Sequence, residues 1–137
     1  MSTVIADNLT GKTAAGNVTI TDGSVTMKLQ DGVAKAYINQ NQGTSILKSF
    51  NVASLVDNAT GDYIVNLSNN MSDANYIPTS ASNPHDFTSG GVSVLHGTRS
   101  GSGQDVDTDH FHQRVGKVSS SADDSDSVRS TVHGGLA

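Results

Sequence analysis

Every acidic residue in this chain is an aspartate: there are thirteen acids and no glutamate. Glutamate sits comfortably inside helices, whereas aspartate competes with the backbone for hydrogen bonds and favours caps and turns. Ser, Thr, Asn, Asp and Gly together make up half of the sequence, and Val outnumbers Ile and Leu among the apolar residues. That mixture favours strands joined by turns and leaves long helices without material. The expected fold class is all-β: an N-terminal arm with a β-hairpin, followed by a small antiparallel β-sandwich or barrel.

The chain has 137 residues, room for one domain or for one domain with an arm. Residues 1–40 are expected to form the arm and residues 41–137 the sandwich-like head. Only 34% of the residues are hydrophobic and six are aromatic, so a monomer buries little apolar surface and self-association is one remedy. The absence of cysteine excludes disulfides, thiolate metal sites and cysteine nucleophiles. The net charge of −5 disfavours nucleic acid as a partner. No run approaches the roughly 20 apolar residues of a membrane helix, and the first residues lack a signal-peptide pattern, so a soluble chain is expected.

Along the chain, Asn17 to Thr21 and Ser24 to Leu29 alternate around Asp22-Gly23, a two-residue hairpin signal. Placing Ile20 opposite Val25 and Val18 opposite Met27 gathers the apolar side chains on one face. At Asp31-Gly32 the same register would oppose Lys28 and Lys35, so a looser turn is expected there. Ile46 to Val56 and Asp62 to Ser68 read as a second hairpin around Asp57 to Gly61, with Asn58 and Gly61 suited to left-handed positions. Tyr63, Val65 and Leu67 fall on one face of it. Met71 to Pro78 reads as a crossing into a strand that Pro78 confines to an edge or ends. Val92 to Leu95, Phe111 to Val118 and Val128 to Val132 are further strand-sized pieces.

The segment Ser49-Phe50-Asn51-Val52-Ala53-Ser54-Leu55-Val56-Asp57-Asn58-Ala59-Thr60-Gly61-Asp62-Tyr63-Ile64-Val65-Asn66-Leu67, followed by Met71 and Asp73-Ala74-Asn75-Tyr76, resembles a module of virion fibre proteins of tailed phages, marine ones in particular. The family pattern is SFNVxSxxDNGTGDYTVNF with a methionine and D-A-N-Y beyond it. Ile5 to Gly16 and Val132 to Ala137 are also similar to the two ends of those proteins. The resemblance spans residues 1–76 and the last six; residues 77–131 depart from it and correspond to a variable distal part. It implies a homotrimeric β-structured virion protein with its amino end toward the particle. Val4, Ile5 and Leu9 would then belong to the docking arm, and Phe50, Val52, Tyr63, Val65, Leu67 and Tyr76 to trimer or core packing. The implied partners are other copies of the chain, other virion proteins of capsid or tail, and a host-surface glycan or protein.

The densest polar cluster is Asp105-Val106-Asp107-Thr108-Asp109-His110-Phe111-His112. On a strand the three aspartates would point one way and the two histidines the other. The aspartates lack the turn glycine and the bidentate glutamate of a calcium loop. His110 and His112, repeated around a threefold axis, would offer six nitrogens to one transition metal, as H-x-H motifs do in some phage fibres and spikes. The competing expectation is that both are surface or interface residues and that the chain needs no cofactor. His85, His96 and His133 have no ligand spacing. Gly101 to Gln104 lacks the lysine of a phosphate loop, and no nucleophile elbow occurs. The functional expectation is therefore a non-enzymatic virion subunit: tail-fibre-like, a short fibre or an adaptor. Capsid decoration is the rival, and a carbohydrate-binding module with Asn, Asp and Tyr76 contacts is a further one.

Overall fold

The computed structural model describes residues 8, 18–22, 24–41, 44–84, 92–95, 106–117 and 125–137. They form ten strands and one helical turn. The chain divides into two compact units, residues 1–33 and residues 34–137.

In the first unit β1 (Thr19–Asp22) and β2 (Val25–Lys28) form an antiparallel hairpin, and α1 (Leu29–Gly32) is a single turn. Ile20 pairs with Met27 and Asp22 with Val25, where Ile20 was expected opposite Val25. The shift moves one residue on each strand, so side-chain parity is preserved and Ile20, Val25 and Met27 still share a face. At Asp31-Gly32 the chain is helical, within α1.

The second unit is a sandwich of two four-stranded antiparallel sheets. One has the order β4-β3-β10-β7, built from β3 (Ala36–Asn41), β4 (Ile46–Phe50), β7 (Ile77–Pro84) and β10 (Ser125–His133). The other has the order β5-β6-β9-β8, built from β5 (Val52–Ala59), β6 (Asp62–Leu67), β8 (Val92–Leu95) and β9 (His110–Lys117). The first strand of this unit lies beside its last: Ala36 pairs with Val132 and Asn41 with Ser127. Strand β3 is thus an interior strand of the sandwich, and the boundary falls after Val33, ahead of the expected residue 40. Edge strand β7 carries Pro78 opposite Val132, where a missing N–H costs no ladder bond on the outer side.

Strict alternation fills the space between the sheets. Ala36, Ile38 and Val132 from one sheet meet Val65, Leu67 and Phe111 from the other, and Met71 and Tyr76 close that end. Tyr63, Val115 and Val128 form the other end. Tyr63, Val65, Leu67 and Tyr76 are accordingly core residues of one chain, whereas Phe50 is 52% exposed. A polar row crosses the same interior, with Gln40, Gln113 and Ser130 buried and Gln113 Nε2 donating to Ser130 Oγ at 2.5 Å.

The expected single segment Ile46 to Val56 is two strands in different sheets. Asn51 breaks it, with φ of 55°, a left-handed conformation that Asn tolerates better than most residues. Its side chain fixes the bend: Oδ1 accepts from Asn69 N at 2.7 Å and Asn69 Nδ2 at 2.9 Å, while Nδ2 donates to Asn69 O at 3.1 Å. In the following hairpin Gly61 takes φ of 67°. Asn58 stays within β5 and uses its amide to donate to Asp62 Oδ2 at 2.7 Å.

The crossing from β6 to β7 docks on the carboxyl-terminal residues. Met71 bridges Leu136, Ser72 N donates to Gly135 O at 2.9 Å and Ala137 N to Asn70 O at 3.0 Å. A Cβ on Gly134 would lie 2.6 Å from Tyr76 Cβ and 2.9 Å from Met71 Cε. Gly134→Ala is predicted to lower stability by roughly 1–3 kcal/mol through this overlap. Gly135→Ala meets only the movable Ser72 hydroxyl at 2.6 Å and is expected to cost less. Urea midpoints of the two variants measure the difference.

Candidate functional site

The polar cluster lies where the chain enters β9. Val106 bridges Phe111, and Asp107 N donates to His110 O at 2.8 Å, so Asp107 to Asp109 form a turn and the strand begins at His110. This corrects the expectation that the aspartates and histidines point to opposite sides of one strand. The turn brings the ligand atoms of Asp107, Asp109 and His110 within 4.8 Å of one another. Asp105 lies outside the described residues, as do His85, His96, Gly101 to Gln104 and Val4, Ile5 and Leu9, the residues expected in a docking arm.

Tyr76 anchors this turn from the β6–β7 crossing. Its hydroxyl faces two carbonyl oxygens, Asp107 O at 2.7 Å and His110 O at 2.6 Å. Burial raises the phenol well above its ordinary value, and the charges of Asp107 and Asp109 add to the rise. Tyr76 therefore stays a neutral donor wherever the protein is folded. Since the native state holds this proton more tightly than an unfolded tyrosine of pKa about 10 does, stability falls as pH climbs past 10. Tyr76→Phe should cost about 1–2 kcal/mol at neutral pH and should flatten that alkaline loss. Denaturation curves from pH 8 to about 11 give both quantities, spanning the free tyrosine value.

His110 and His112 do share the outer face of β9, with ring centroids 5.8 Å apart and planes inclined at 61°. Each is drawn to a different carboxylate. His110 Nδ1 lies 2.6 Å from Asp109 Oδ1, and His112 Nδ1 lies 2.9 Å from Asp62 Oδ1. An ionised carboxylate only accepts, so Nδ1 carries the proton in both rings and each would ligate a metal through Nε2. The arrangement thus provides an oriented imidazole pair and, beside it, the three-residue Asp107, Asp109 and His110 group.

Sequence reading missed Asp62, the centre of the second half of this surface. Asp62 Oδ1 also lies 3.6 Å from Arg114 Nε, and Asn58 holds the other oxygen. Burial alone would raise its pKa, but the hydrogen bonds from His112 and Asn58 and the positive charges of His112 and Arg114 outweigh it, and the carboxyl sits below its usual range. The signal was present in the register: Asp62 pairs with Arg114 and Ile64 with His112 across β6 and β9. A depressed carboxyl pKa gives stability that is complete above the unfolded value of about 4 and is lost as pH falls through the folded value. Asp62→Asn should cost about 2 kcal/mol at pH 7 and should reduce the acid dependence below pH 4, read from thermal midpoints between about pH 2 and 7, which brackets that carboxyl range.

With this geometry in hand, comparison with protein-family models, with curated proteins and with solved structures finds no match to the chain. Among the described residues no helix is long and apolar enough to cross a membrane.

Proposed function

We propose that the chain is a non-enzymatic structural subunit of a tailed-phage virion, a homotrimeric tail-fibre-like, short-fibre or adaptor protein. In this reading the amino-terminal residues dock on the particle, other virion proteins are the partners there, and the sandwich presents its outer surfaces toward the host. Asp107, Asp109, His110 and His112 are surface groups available to a metal at a subunit contact.

The observation that carries the reading is spatial. The segments that resemble the phage fibre module are distant in sequence, yet Asn51 bonds to Asn69, Met71 bridges Leu136, and Gly134 lies against Tyr76. They form one corner of the sandwich. A corner held in this way would serve as the common scaffold that a subunit shared among particles with different distal surfaces needs. Large apolar side chains left outside the core, including Leu47 at 61%, Val56 at 44% and Ile77 at 69% exposure, give copies of the chain apolar area to bury against one another.

Light scattering on the purified full chain is expected to return the mass of three subunits, and an antibody against it is expected to label intact tailed-phage particles. A compact monomer overturns the trimer. Loss of the trimer mass on addition of EDTA, with a Asp109→Asn variant behaving as the chelated protein does, would assign the contact to the Asp107, Asp109 and His110 group.

A further inference from the structure

The outer face of the β4-β3-β10-β7 sheet holds a cleft of about 420 Å³, within the range of roughly 300–1,000 Å³ that small-ligand sites occupy. Its lining includes Tyr37 and Asn39 from β3, Thr79 from β7, and Arg129 and Thr131 from β10. Alternation places these side chains outward, because Ile38, Gln40, Val128 and Val132 on the same two central strands are buried. Two rows run across the sheet. In the first, Phe50, Tyr37, Thr131 and Thr79 are successive cross-strand partners. In the second, Lys48, Asn39, Arg129 and Ala81 are.

The rows differ in chemistry. The first is aromatic, with the Tyr37 and Phe50 ring centroids 6.0 Å apart and their planes inclined by 27°, continued by two threonine hydroxyls. The second is cationic. Arg129 is exposed and, among the described residues, its Nε donates a long 3.4 Å bond to Asn39 Oδ1, and none of the residues in either row is acidic. In a chain of net charge −5, two adjoining rows with two cations and no acid are a local reversal of sign.

We infer that this face is a binding site for an anionic oligosaccharide, one whose sugar rings carry carboxylates. The flat C–H side of a pyranose lies on the Tyr37 and Phe50 rings, where apolar contact costs no hydrogen bond. A ring carboxylate reaches the Arg129 guanidinium, with Lys48 farther along the same row beyond Asn39, and charge-assisted bonds of this kind are the strong polar contacts of such sites. Asn39, Thr79 and Thr131 offer both donors and acceptors to neighbouring hydroxyls. An acidic peptide would satisfy the cations but has no use for an aromatic floor beside mixed hydroxyl and amide groups. The inference stands on this face alone and does not depend on the chain being a virion subunit.

The test titrates the full chain with tetragalacturonate by calorimetry, with cellotetraose and tetra-aspartate as comparators. Tetragalacturonate is expected to bind saturably and more weakly as salt is raised, and neutral cellotetraose to bind at least about tenfold less tightly, the loss of one charge-assisted contact. Arg129→Gln, at an exposed position, should weaken tetragalacturonate by about tenfold or more. Tyr37→Ala should weaken both sugars alike, and if that variant loses its thermal transition, Phe50→Ala carries the same test. No saturable binding overturns the site. So does binding that Arg129→Gln leaves unchanged, and equal affinity for tetra-aspartate reassigns the face to acidic peptides and overturns the sugar proposal.

Discussion

The sandwich depends on satisfying polar backbone wherever the chain leaves one sheet for the other. A strand inside a sheet meets this requirement through its neighbours, but a crossing segment has none, and an unpaired buried amide or carbonyl costs as much as several apolar contacts return. At Asn51 the side-chain amide acts as a substitute strand for Asn69. At the β6–β7 crossing residues 135–137 do so, with Gly135 O accepting from Ser72 N and Ala137 N donating to Asn70 O. At the entry to β9 the Tyr76 hydroxyl does so for Asp107 and His110. Those three devices lie together at one end, and the apolar core of Ile38, Val65, Phe111 and Val132 is sealed by them.

Much of this was legible in the sequence and the remainder was not, for physical reasons. The all-β class followed from an aspartate-only acid set and from valine-rich alternation. Tyr63, Val65 and Leu67 announced a buried face by spacing alone, and Pro78 announced an edge by its missing donor. The division of Ile46 to Val56 into two strands was hidden because an Asn in an apolar run keeps the run's hydrophobicity while its backbone can turn left-handed. The hairpin register was hidden because the expected and the observed pairings both conserve the faces. Buried Gln40 and Gln113 broke the pattern that equates interior with apolar.

The candidate site shows the same limit. His110 and His112 were recognisable as a pair on one side of a strand, and they are one. The grouping of Asp107 and Asp109 with His110 required knowing that the strand starts at residue 110, and the link from His112 to Asp62 joins positions fifty apart. The aromatic and cationic rows of the outer face involve four strands from opposite ends of the chain, a juxtaposition that only sheet order creates. Local pattern reports which way a side chain points, and topology reports what it points beside.

The adjacency of β3 and β10 bears on how the sandwich carries mechanical load. Ala36 and Val132 are partners at one end of an antiparallel pair, so tension applied between the two chain ends of this unit opens the ladder one hydrogen bond at a time, like a zip. Tension entering through the chain at Ala34 and leaving through a loop at the far end of the sandwich loads the same hydrogen bonds together, in shear. The unit is therefore compliant along one axis and stiff along another.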